Sequence, residues 1–424
     1  MSLALLIYRG ATAALWPFAG LWLGARARRG KEDSLRLGER FGRYQQAREG
    51  GTLVWLHAAS VGESGVALQL IEALGARAPD LSFLLSTGTR TSAELVARRA
   101  PPRTTHVYAA LDRTRAVRRF LKHWRPDLGV FVESELWPNL ILETEKSKTP
   151  LALVNARMSP ASLRHWNSWN SAGKRLLAAF AYVSAADART GAALSRLRGS
   201  GVPVLGNLKL AALAPRIDAH ARAALAAEIG ARPLWLAAST HAGEDEIILA
   251  AHQRLRAEFP DALLVLAPRH PGRGVALAAL AGNAPRRSQA APIGEGPVYV
   301  ADTMGELGLF YDLAPVAFVG GSLAPHLSGH NPVEPAKLGA AIISGPYVAS
   351  FQDVFDALSE AGGAIVARNG AELAIAIMRL WRDVPARVRQ IEAARASVAH
   401  GADALTETVN RLAALLPAPA HAPA

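Results

Sequence analysis

The sequence predicts an α/β protein made of two domains, each built on a doubly wound parallel sheet. Short apolar runs of strand length alternate with longer helical patterns along most of the chain, which is typical of strand–helix–strand units. The alternation runs through two series, separated by an Ala-rich helical segment at residues 211–232. A chain of 424 residues, half of them apolar, is long enough to form two hydrophobic cores. Because ligands of such sheets bind at the carboxyl ends of the strands, we expect functional residues there, facing a central cleft between the domains.

The most apolar stretch, residues 3–23, predicts an N-terminal membrane anchor that ends near residue 30. It contains one charged residue, Arg9, and about 20 apolar residues can span a bilayer. A basic cluster that would hold the following chain on the cytoplasmic side comes next: Arg26, Arg28, Arg29 and Lys31. Arg9 and Pro17 weaken a spanning helix, so a helix lying in the membrane plane is an open alternative.

Residues 31–210 are predicted to form the first domain. It begins with residues 35–44 (LRLGERFGRY), which are amphipathic and basic and favour a helix close to anionic headgroups. Strands are expected at residues 52–57, 81–86, 128–132, 151–154 and 182–184, with helices between them that include residues 64–74 and 91–99.

Residues 211–416 are predicted to form the second domain. Its strands are expected at residues 234–238, 263–267, 298–301, 316–319 and 341–343. Helices between residues 373 and 416 should close this domain, and residues 417–424 (PAPAHAPA) should form a flexible tail.

Glu63 is the first candidate for chemistry. It follows the strand at residues 52–57 and opens a helix within the sequence AASVGES. Its carboxylate could deprotonate a hydroxyl nucleophile as a general base. Ser60 to Glu63 also has the S-x-x-E spacing of a capping box, so a purely structural role is the alternative. In either role, we expect the helix dipole to lower the pKa of Glu63.

Two further carboxylates, Glu133 and Glu135, directly follow the strand at residues 128–132. Loops at strand ends commonly carry functional sites, which favours chemistry over a solvated surface role. Lys209 lies in the tetrapeptide GNLK between the two domains, where a lysine could stabilise a departing phosphate or another developing negative charge.

Groups suited to phosphate follow the strands of the second domain. Residues 239–243 (STHAG) suit a phosphate-binding turn, and Arg269 can form a charge-assisted pair with a phosphate. Residues 302–307 (DTMGEL) could line a base pocket with backbone groups. For His241 and His270, a role as ordinary loop histidines stays open.

Residues 324–347 lie between two apolar runs and predict a loop and helix start that bind an anion. Asn331 is a good helix N-cap, Pro332 suits the first helical position, and Glu334 falls three residues after the cap. His330 can donate to a phosphate, and the Glu334 carboxylate could accept from the hydroxyls of a ribose. A capping box with nothing bound is the alternative.

Composition narrows the chemistry and the partners. The chain has no cysteine, which excludes disulfides, thiolate metal sites and a thiol nucleophile. No His, Asp or Glu spacing resembles a metal site. The net charge is +12, and Lys+Arg minus Asp+Glu gives 30 − 15 = +15 for residues 1–210 and 17 − 20 = −3 for residues 211–424. The basic half favours an anionic surface or large anionic substrate, with a merely soluble basic face as the alternative.

Between residues 35 and 350 the chain contains an ordered series of short motifs: LRLGERFG, WLHAASVGE, ESELWPN, LVNARMS, GNLK, STHAGE, APRH, DTMGEL and GHNPVEP. In this combination it resembles the 3-deoxy-D-manno-octulosonic acid (Kdo) transferases of lipid A assembly. The resemblance implies a GT-B fold, with an acceptor-binding N-terminal domain and a C-terminal domain that binds CMP-Kdo. It also implies metal-independent, cofactor-free, inverting transfer of Kdo to lipid IVA at the cytoplasmic face of the inner membrane.

Residue roles follow from the same motifs. Glu63 of SVGE would be the base that deprotonates the acceptor hydroxyl, and Glu133 and Lys209 would stabilise the transition state. The CMP moiety would be held by Pro268, Arg269, Met304, Gly305, Glu306, Asn331, Pro332, Val333 and Glu334. The chain departs from the expected motifs at Ser134, where a threonine is expected, and at Met158, where a leucine is expected.

Two other functions remain as alternatives. Another GT-B enzyme acting on nucleotide sugars, such as an epimerase, would be active on a soluble sugar nucleotide alone. A non-catalytic nucleic-acid-binding protein would interleave basic and aromatic residues on one face, whereas aromatics are only 6% of this chain. The expected partners are therefore CMP-Kdo, lipid IVA and the anionic inner leaflet, and not nucleic acid.

Overall fold

The computed structural model describes residues 2–133, 136–211 and 217–417. The chain folds into two compact units. Unit 1 contains residues 1–211 and 401–424, and unit 2 contains residues 212–400. Each unit has one six-stranded parallel sheet covered by helices, so the predicted pair of doubly wound α/β domains is confirmed.

The sheet of unit 1 has the strand order β3-β2-β1-β4-β5-β6, and every pair is parallel. Its strands are β1 Leu53–Ala58, β2 Ser82–Thr87, β3 Thr104–Tyr108, β4 Leu128–Val132, β5 Leu151–Ala156 and β6 Tyr182–Ala185. Strand order reverses between β1 and β4, which is the point where such sheets bind ligands. Sequence analysis missed β3, because three of its five residues are half-buried and polar and form no apolar run.

The helices of unit 1 pack on both faces of this sheet. They are α1 Leu3–Ala14, α2 Ala19–Arg28, α3 Leu37–Arg40, α4 Val61–Arg77, α5 Arg90–Arg99, α6 Thr114–Trp124, α7 Pro138–Lys146, α8 Pro160–Ser168, α9 Asn170–Leu177 and α10 Ala188–Arg198. Successive residues of β1 point to opposite faces: Trp55 packs with Phe120 and Phe131, whereas Val54 and Leu56 belong to the other core.

The sheet of unit 2 has the order β12-β11-β10-β7-β8-β9, again all parallel. Its strands are β7 Leu234–Thr240, β8 Leu263–Pro268, β9 Val298–Val300, β10 Val316–Val319, β11 Ala341–Ser344 and β12 Ala364–Val366. Read from its other edge, this order repeats that of unit 1. The three-residue edge strand β12 was also missed, because it is too short to form a periodic pattern.

The helices assigned to unit 2 begin after residue 217. They are α11 Ala219–Ile229, α12 Asp245–Glu258, α13 Gly274–Leu280, α14 Leu307–Leu313, α15 Val333–Leu338, α16 Gln352–Glu360, α17 Gly370–Arg382 and the part of α18 (Val384–Ala413) before residue 401. Of the helical connection predicted at residues 211–232, residues 212–216 lie outside the described part of the chain, as do residues 418–424 of the predicted tail.

The last part of α18 differs from the prediction that it closes the second domain. From residue 401 onward it belongs to unit 1, where Ala404, Val409 and Leu412 join the core that contains Leu208. Gly401 permits the close packing, since a Cβ at this position would lie 2.3 Å from the Leu210 carbonyl carbon. The apolar spacing in this stretch predicts a helix with one buried face, but it does not determine against which core that face packs.

The basic segment at residues 35–44 also differs from the prediction. Its helical part is limited to a 3-10 turn, Ser34–Arg36, and the four-residue α3. Arg40 is buried and pairs with Glu32 at 2.8 Å, and Arg36 pairs with Glu39 at 2.8 Å. These two arginines are therefore paired with carboxylates of unit 1, the one buried and the other partly exposed, and are not free to form a basic face for headgroups.

Candidate functional site

The loop between β1 and α4 forms the capping box that the sequence predicts as the structural role of Glu63. Ser60 is the N-cap of α4, and its Oγ accepts from the Glu63 N–H at 3.3 Å. In return, the Glu63 carboxylate accepts from the Ala59 N–H at 2.6 Å and from the Ser60 hydroxyl at 3.0 Å. These bonds fix the side chain at the carboxyl end of β1.

The electrostatics of Glu63 differ from the prediction. Burial is the largest effect and raises the pKa of its carboxyl group, and the nearby Glu133 raises the pKa further. The hydrogen bonds from Ala59 and Ser60 act in the opposite direction but do not outweigh burial. The expected lowering of the pKa by the helix dipole is therefore wrong for this site, because a residue that is 7% exposed loses most of its hydration.

Glu133 and Lys209 form an ion pair beside Glu63. Glu133 follows β4 with a left-handed backbone, at φ 63°, and its N–H donates to the Val154 carbonyl at 3.0 Å. Lys209 Nζ lies 2.9 Å from Glu133 Oε1, and each of the two side chains is 12% exposed. A left-handed non-glycine residue at a strand end is typical of functional sites. Glu135, the other predicted carboxylate, lies outside the described residues.

Two asparagines that the sequence analysis did not single out hold Lys209 in place. Asn155 of β5, at φ 54°, accepts from the Leu208 N–H through Oδ1 at 2.9 Å. Asn207 Oδ1 accepts from the Lys209 N–H at 3.0 Å. A Cβ added at Gly62 would lie 3.7 Å from Lys209 Nζ, so the ammonium sits directly beside the turn that carries Glu63. The structure thus brings Glu63, Glu133 and Lys209 into one cluster.

A buried histidine of β1, the strand that precedes Glu63, packs among aromatic rings. His57 of β1 is fully buried, and its Nδ1 lies 2.9 Å from Ser86 Oγ. Its ring packs edge-on against Trp137, with ring centroids 4.9 Å apart. Burial lowers the pKa of His57 to about 3, so the ring is neutral at physiological pH. We assign His57 a packing role against Trp137.

In unit 2, a buried carboxylate ties the loops after β7 and β10 together. Glu244 accepts from four backbone N–H groups, those of His241 at 3.0 Å, Gly321 at 2.7 Å, Ser322 at 2.8 Å and Leu323 at 3.0 Å. The protein's own carboxylate therefore occupies the backbone N–H groups of residues 321–323. Sequence analysis missed this role, although Glu244 closes the motif STHAGE.

A cluster of histidines and arginines lies at the carboxyl ends of β7 and β8. His241 Nε2 and His330 Nε2 are 2.8 Å apart, and the ring of His270 lies 6.1 Å from that of His241. Burial is the largest cause of the lowered pKa of His241 and of His330. The pKa of His330 is lowered to about 3. Arg269 is exposed, and its guanidinium has no hydrogen-bond or ion-pair partner among the described residues.

The stretch predicted to line a base pocket, residues 302–307, begins with the buried Asp302 and contains an exposed turn at residues 304–306 with one anchored carboxylate. Met304 is 71% exposed, and Gly305 has φ 85°, a conformation that favours glycine. Arg287 Nη2 donates to Glu306 Oε1 at 2.7 Å, and this hydrogen bond is the largest cause of the lowered pKa of Glu306. Arg287 is a further residue that the sequence analysis missed, because it lies far from the motif.

The helix that follows His330 begins one residue later than predicted. Pro332 is the N-cap of α15 and Val333 is its first residue, because Asn331 Oδ1 accepts from the Val333 N–H at 3.0 Å. Asn331 Nδ2 also donates to Glu334 Oε1 at 3.4 Å. Asn331 and Glu334 therefore form part of the capping arrangement predicted as the structural alternative.

No group of three or more His, Asp or Glu side chains able to hold a metal ion occurs within the described ranges. The carboxylates at the strand ends are instead engaged by lysine, arginine or backbone N–H groups. Among these residues, the arrangement is suited to proton transfer in unit 1 and to anion binding in unit 2.

Comparisons with known proteins agree on one family. The family model described as 3-Deoxy-D-manno-octulosonic-acid transferase (kdotransferase) matches residues 35–212. The chain is 35% identical over 422 residues to the 3-deoxy-D-manno-octulosonic acid transferase of Bordetella pertussis, which covers 96% of this chain and 98% of that protein. It is 33% identical over 388 residues to the probable mitochondrial 3-deoxy-D-manno-octulosonic acid transferase of Arabidopsis thaliana, covering 87% of this chain and 85% of that protein.

Solved structures agree on the fold. The structure of MurG from Acinetobacter baumannii matches with a TM-score of 0.52 and 14% identity, over 86% of this chain and 100% of that chain. At this level of identity the match concerns the fold alone, and it confirms the predicted GT-B class.

Proposed function

The chain belongs to the 3-deoxy-D-manno-octulosonic acid (Kdo) transferase family, and from this premise we propose that it transfers Kdo from CMP-Kdo to lipid IVA with inversion at the anomeric carbon. The observation that carries the proposal is the cluster of Glu63, Glu133 and Lys209 in unit 1. In this cluster the Glu63 carboxylate has a raised pKa and lies beside the ion pair of Glu133 with Lys209. The cluster lies at the position where the strand order of the sheet reverses.

Glu63 is the general base in this proposal. The acceptor hydroxyl oxygen forms a bond to the anomeric carbon of Kdo while the bond from that carbon to the phosphate oxygen breaks, and CMP leaves with the electron pair. The hydroxyl proton passes to the Glu63 carboxylate. Its raised pKa makes this carboxylate a better proton acceptor than an ordinary glutamate. The hydrogen bonds from Ala59 and Ser60 orient the Glu63 carboxylate, which lowers the entropic cost of the proton transfer.

Glu133 and Lys209 supply fixed charges in this proposal. As the bond to the leaving group breaks, the anomeric carbon gains positive charge, which the Glu133 carboxylate stabilises. Lys209 orients that carboxylate through the 2.9 Å contact and provides a positive charge for the negative charge that develops on the departing group. Asn155 and Asn207 position Lys209 through the backbone of its segment.

Unit 2 binds the CMP moiety in this proposal. The exposed guanidinium of Arg269 is free among the described residues to pair with the phosphate, and Pro268 precedes it at the end of β8. The turn of Met304, Gly305 and Glu306 presents backbone groups to the base. Asn331, Pro332, Val333 and Glu334 complete the nucleotide site from the start of α15.

In this proposal the N-terminal helical segment anchors the protein by lying in the plane of the membrane. By length and composition the helical segment Leu3–Arg28 could cross a bilayer. However, several of its side chains are attached to unit 1: Leu5 lies in the core, Tyr8 Oη donates to Asp112 at 2.8 Å, and Asn139 Nδ2 donates to Thr12 at 3.3 Å. A helix spanning the bilayer would have to give up these contacts.

The opposite side of the segment is apolar and exposed. The exposed large residues are Leu3, Leu6, Ile7, Leu15, Phe18, Leu21 and Trp22. Arg28, Arg29 and Lys31, which follow at the end of the segment, are also exposed. This combination suits insertion into the acyl boundary of an anionic leaflet, with the basic residues at the headgroups. It supports a position on the cytoplasmic face of the inner membrane.

Purified full-length protein incubated with CMP-Kdo and lipid IVA tests the proposal. We expect stoichiometric CMP release, a lipid product heavier by Kdo units, and an inverted anomeric centre by NMR. The reaction should be insensitive to EDTA. Turnover of CMP-Kdo with no lipid product would contradict the proposed acceptor. Retention of configuration at the anomeric carbon would contradict the single-displacement mechanism.

A further inference from the structure

The pair His241 and His330 lies among the groups of unit 2 proposed to bind the nucleotide. His241 follows β7, and His330 immediately precedes Asn331. The Arg269 N–H donates to the Thr240 carbonyl at 3.0 Å, which ties the loop after β8 to the residue before His241. The pair therefore adjoins both the proposed phosphate group and the proposed nucleoside groups, yet neither histidine belongs to the set of residues proposed to hold the CMP moiety.

The two rings are held in a fixed relation. Their Nε2 atoms are 2.8 Å apart, and the ring planes differ by 10°. Gly321 packs against them at φ 69°, and a Cβ at this position would lie 2.7 Å from His330 Cδ2 and 3.5 Å from His241 Cδ2. A side chain at residue 321 would displace the pair, so the absence of a side chain at Gly321 gives the two imidazole rings the space that they occupy.

Glu244 and Asp245, the acidic residues nearest to His241 in sequence, already have other partners. Both oxygens of Glu244 accept from backbone N–H groups. Asp245 forms an ion pair with Arg273. Glu244 still favours a charged His241. In contrast, Arg269 and His270 act against a charge on either ring, and Arg273 acts against a charge on His241. The surroundings therefore favour an anion over a cation.

We propose that His241 and His330 bind the carboxylate of the donor sugar. This inference rests on the proposed function, because Kdo is an octulosonic acid and carries a carboxylate on its anomeric carbon. That same carbon bears the CMP phosphate oxygen, so a phosphate on Arg269 brings the carboxylate to the neighbouring histidines. Donors without a carboxylate would leave the pair empty, which makes it a specificity determinant.

Proton uptake accompanies this binding. In the neutral pair, one Nε2–H donates to the other Nε2. One added proton turns both Nε2 atoms into donors, which repel one another at 2.8 Å unless an acceptor with two oxygens separates them. A carboxylate meets this need with two charge-assisted hydrogen bonds. Burial opposes the charged pair when no anion is bound, and the bound anion reverses that preference. Affinity for CMP-Kdo should therefore rise as pH falls from 8 towards 6, as the proton becomes more available.

The test compares CMP-Kdo with CMP on the full-length protein, using His330→Ala, His241→Asn and the matched control His326→Ala. His326 is an exposed histidine four residues before His330 in the same loop. We expect each variant of the pair to raise the KM for CMP-Kdo by about tenfold or more, the size expected for a lost hydrogen bond to a charged group. The Kd for CMP should stay within about twofold, and the control should match the wild type in both.

The variants of the pair should also lose the pH dependence of KM between pH 6 and 8. Thermal melts serve as the folding check, and if one variant fails to fold, the other decides. An unchanged KM for CMP-Kdo would overturn the inference. A parallel rise in the Kd for CMP would also overturn it, because the pair would then hold the phosphate. A wild type that transfers no Kdo would instead refute the proposed function, so the two failures are distinguishable.

Discussion

Lys209 Nζ lies 2.9 Å from Glu133 Oε1, and this pair joins the loop after β4 to the segment that ends the first half of the chain. Both side chains are 12% exposed, so the pair is largely removed from solvent. Loss of one partner of such a pair leaves a poorly solvated charge, which costs more than the loss of an exposed salt bridge. Because Glu133 also raises the pKa of Glu63, the geometry of the ion pair affects the proposed base.

The first prediction concerns the two roles of Glu63. Glu63→Gln removes the base but retains a side chain that can complete the capping box. We expect kcat to fall by about two orders of magnitude or more, the size expected for a lost general base, with Tm nearly unchanged. CMP release and thermal melts measure the two effects. As the matched control, Ser60→Ala should lower stability by about 1 kcal/mol through loss of the N-cap. Full activity of Glu63→Gln would limit Glu63 to capping the helix.

The second prediction concerns pH. A base must be deprotonated, so kcat/KM should fall as the pH drops through the raised pKa of Glu63. The negative charge of Glu133 helps to raise that pKa, so Glu133→Gln should move the acid limb of the profile to lower pH, in addition to lowering the rate. A pH profile of kcat/KM under subsaturating CMP-Kdo measures this. An acid limb that stays in place or moves to higher pH would contradict the coupling of Glu63 and Glu133.

The third prediction concerns the anchor. The chain has no cysteine, so Ser2→Cys and Gly30→Cys each introduce a single thiol, one at either end of the segment. An in-plane anchor places both thiols on the cytoplasmic side. We expect a membrane-impermeant maleimide to label both in inverted inner-membrane vesicles and neither in intact spheroplasts. Labelling of Ser2→Cys in spheroplasts alone would show that the segment crosses the bilayer.

The fourth prediction concerns the support of Lys209. Gly401→Ala places a Cβ 2.3 Å from the Leu210 carbonyl carbon, so helix α18 or the segment Leu208–Ala211 must shift. We expect a loss of about 1–3 kcal/mol in stability together with reduced kcat. Gly65→Ala in α4 is the matched control, since a Cβ at this position meets nothing within 4 Å. Denaturant melts and CMP release measure both variants. An active and stable Gly401→Ala would mean that this packing is not needed.

Much of the fold was predictable from local pattern. Of the twelve strands within the described residues, ten coincide with apolar runs, because strands buried on both faces read as continuous hydrophobic segments. The two strands that were missed, β3 and β12, are edge strands of lower burial and therefore lack the signal. The pattern of charges did not predict the environment of Arg36 and Arg40. Their ion pairs with Glu39 and Glu32 depend on the folded path of the chain, which a helical pattern does not reveal.

The candidate site was predictable only in part. Glu63, Glu133 and Lys209 were recognisable because each lies in a motif, and the family was confirmed by similarity along almost the whole chain. Their catalytic roles remain predictions. Asn155, Glu244 and Arg287 were missed, because each acts through a partner distant in sequence, such as Leu208, Gly321 or Glu306.

The sequence by itself determined the alternation of strands and helices, the family and the residue types at the strand ends, since these depend on periodicity and short motifs. Only the tertiary structure decided the direction of the Glu63 pKa shift, the 2.9 Å ion pair of Glu133 with Lys209, and the return of α18 to unit 1. The reason is physical. Burial and electrostatic coupling depend on three-dimensional distances between segments, and these arise only when the parallel sheet brings distant strand ends together.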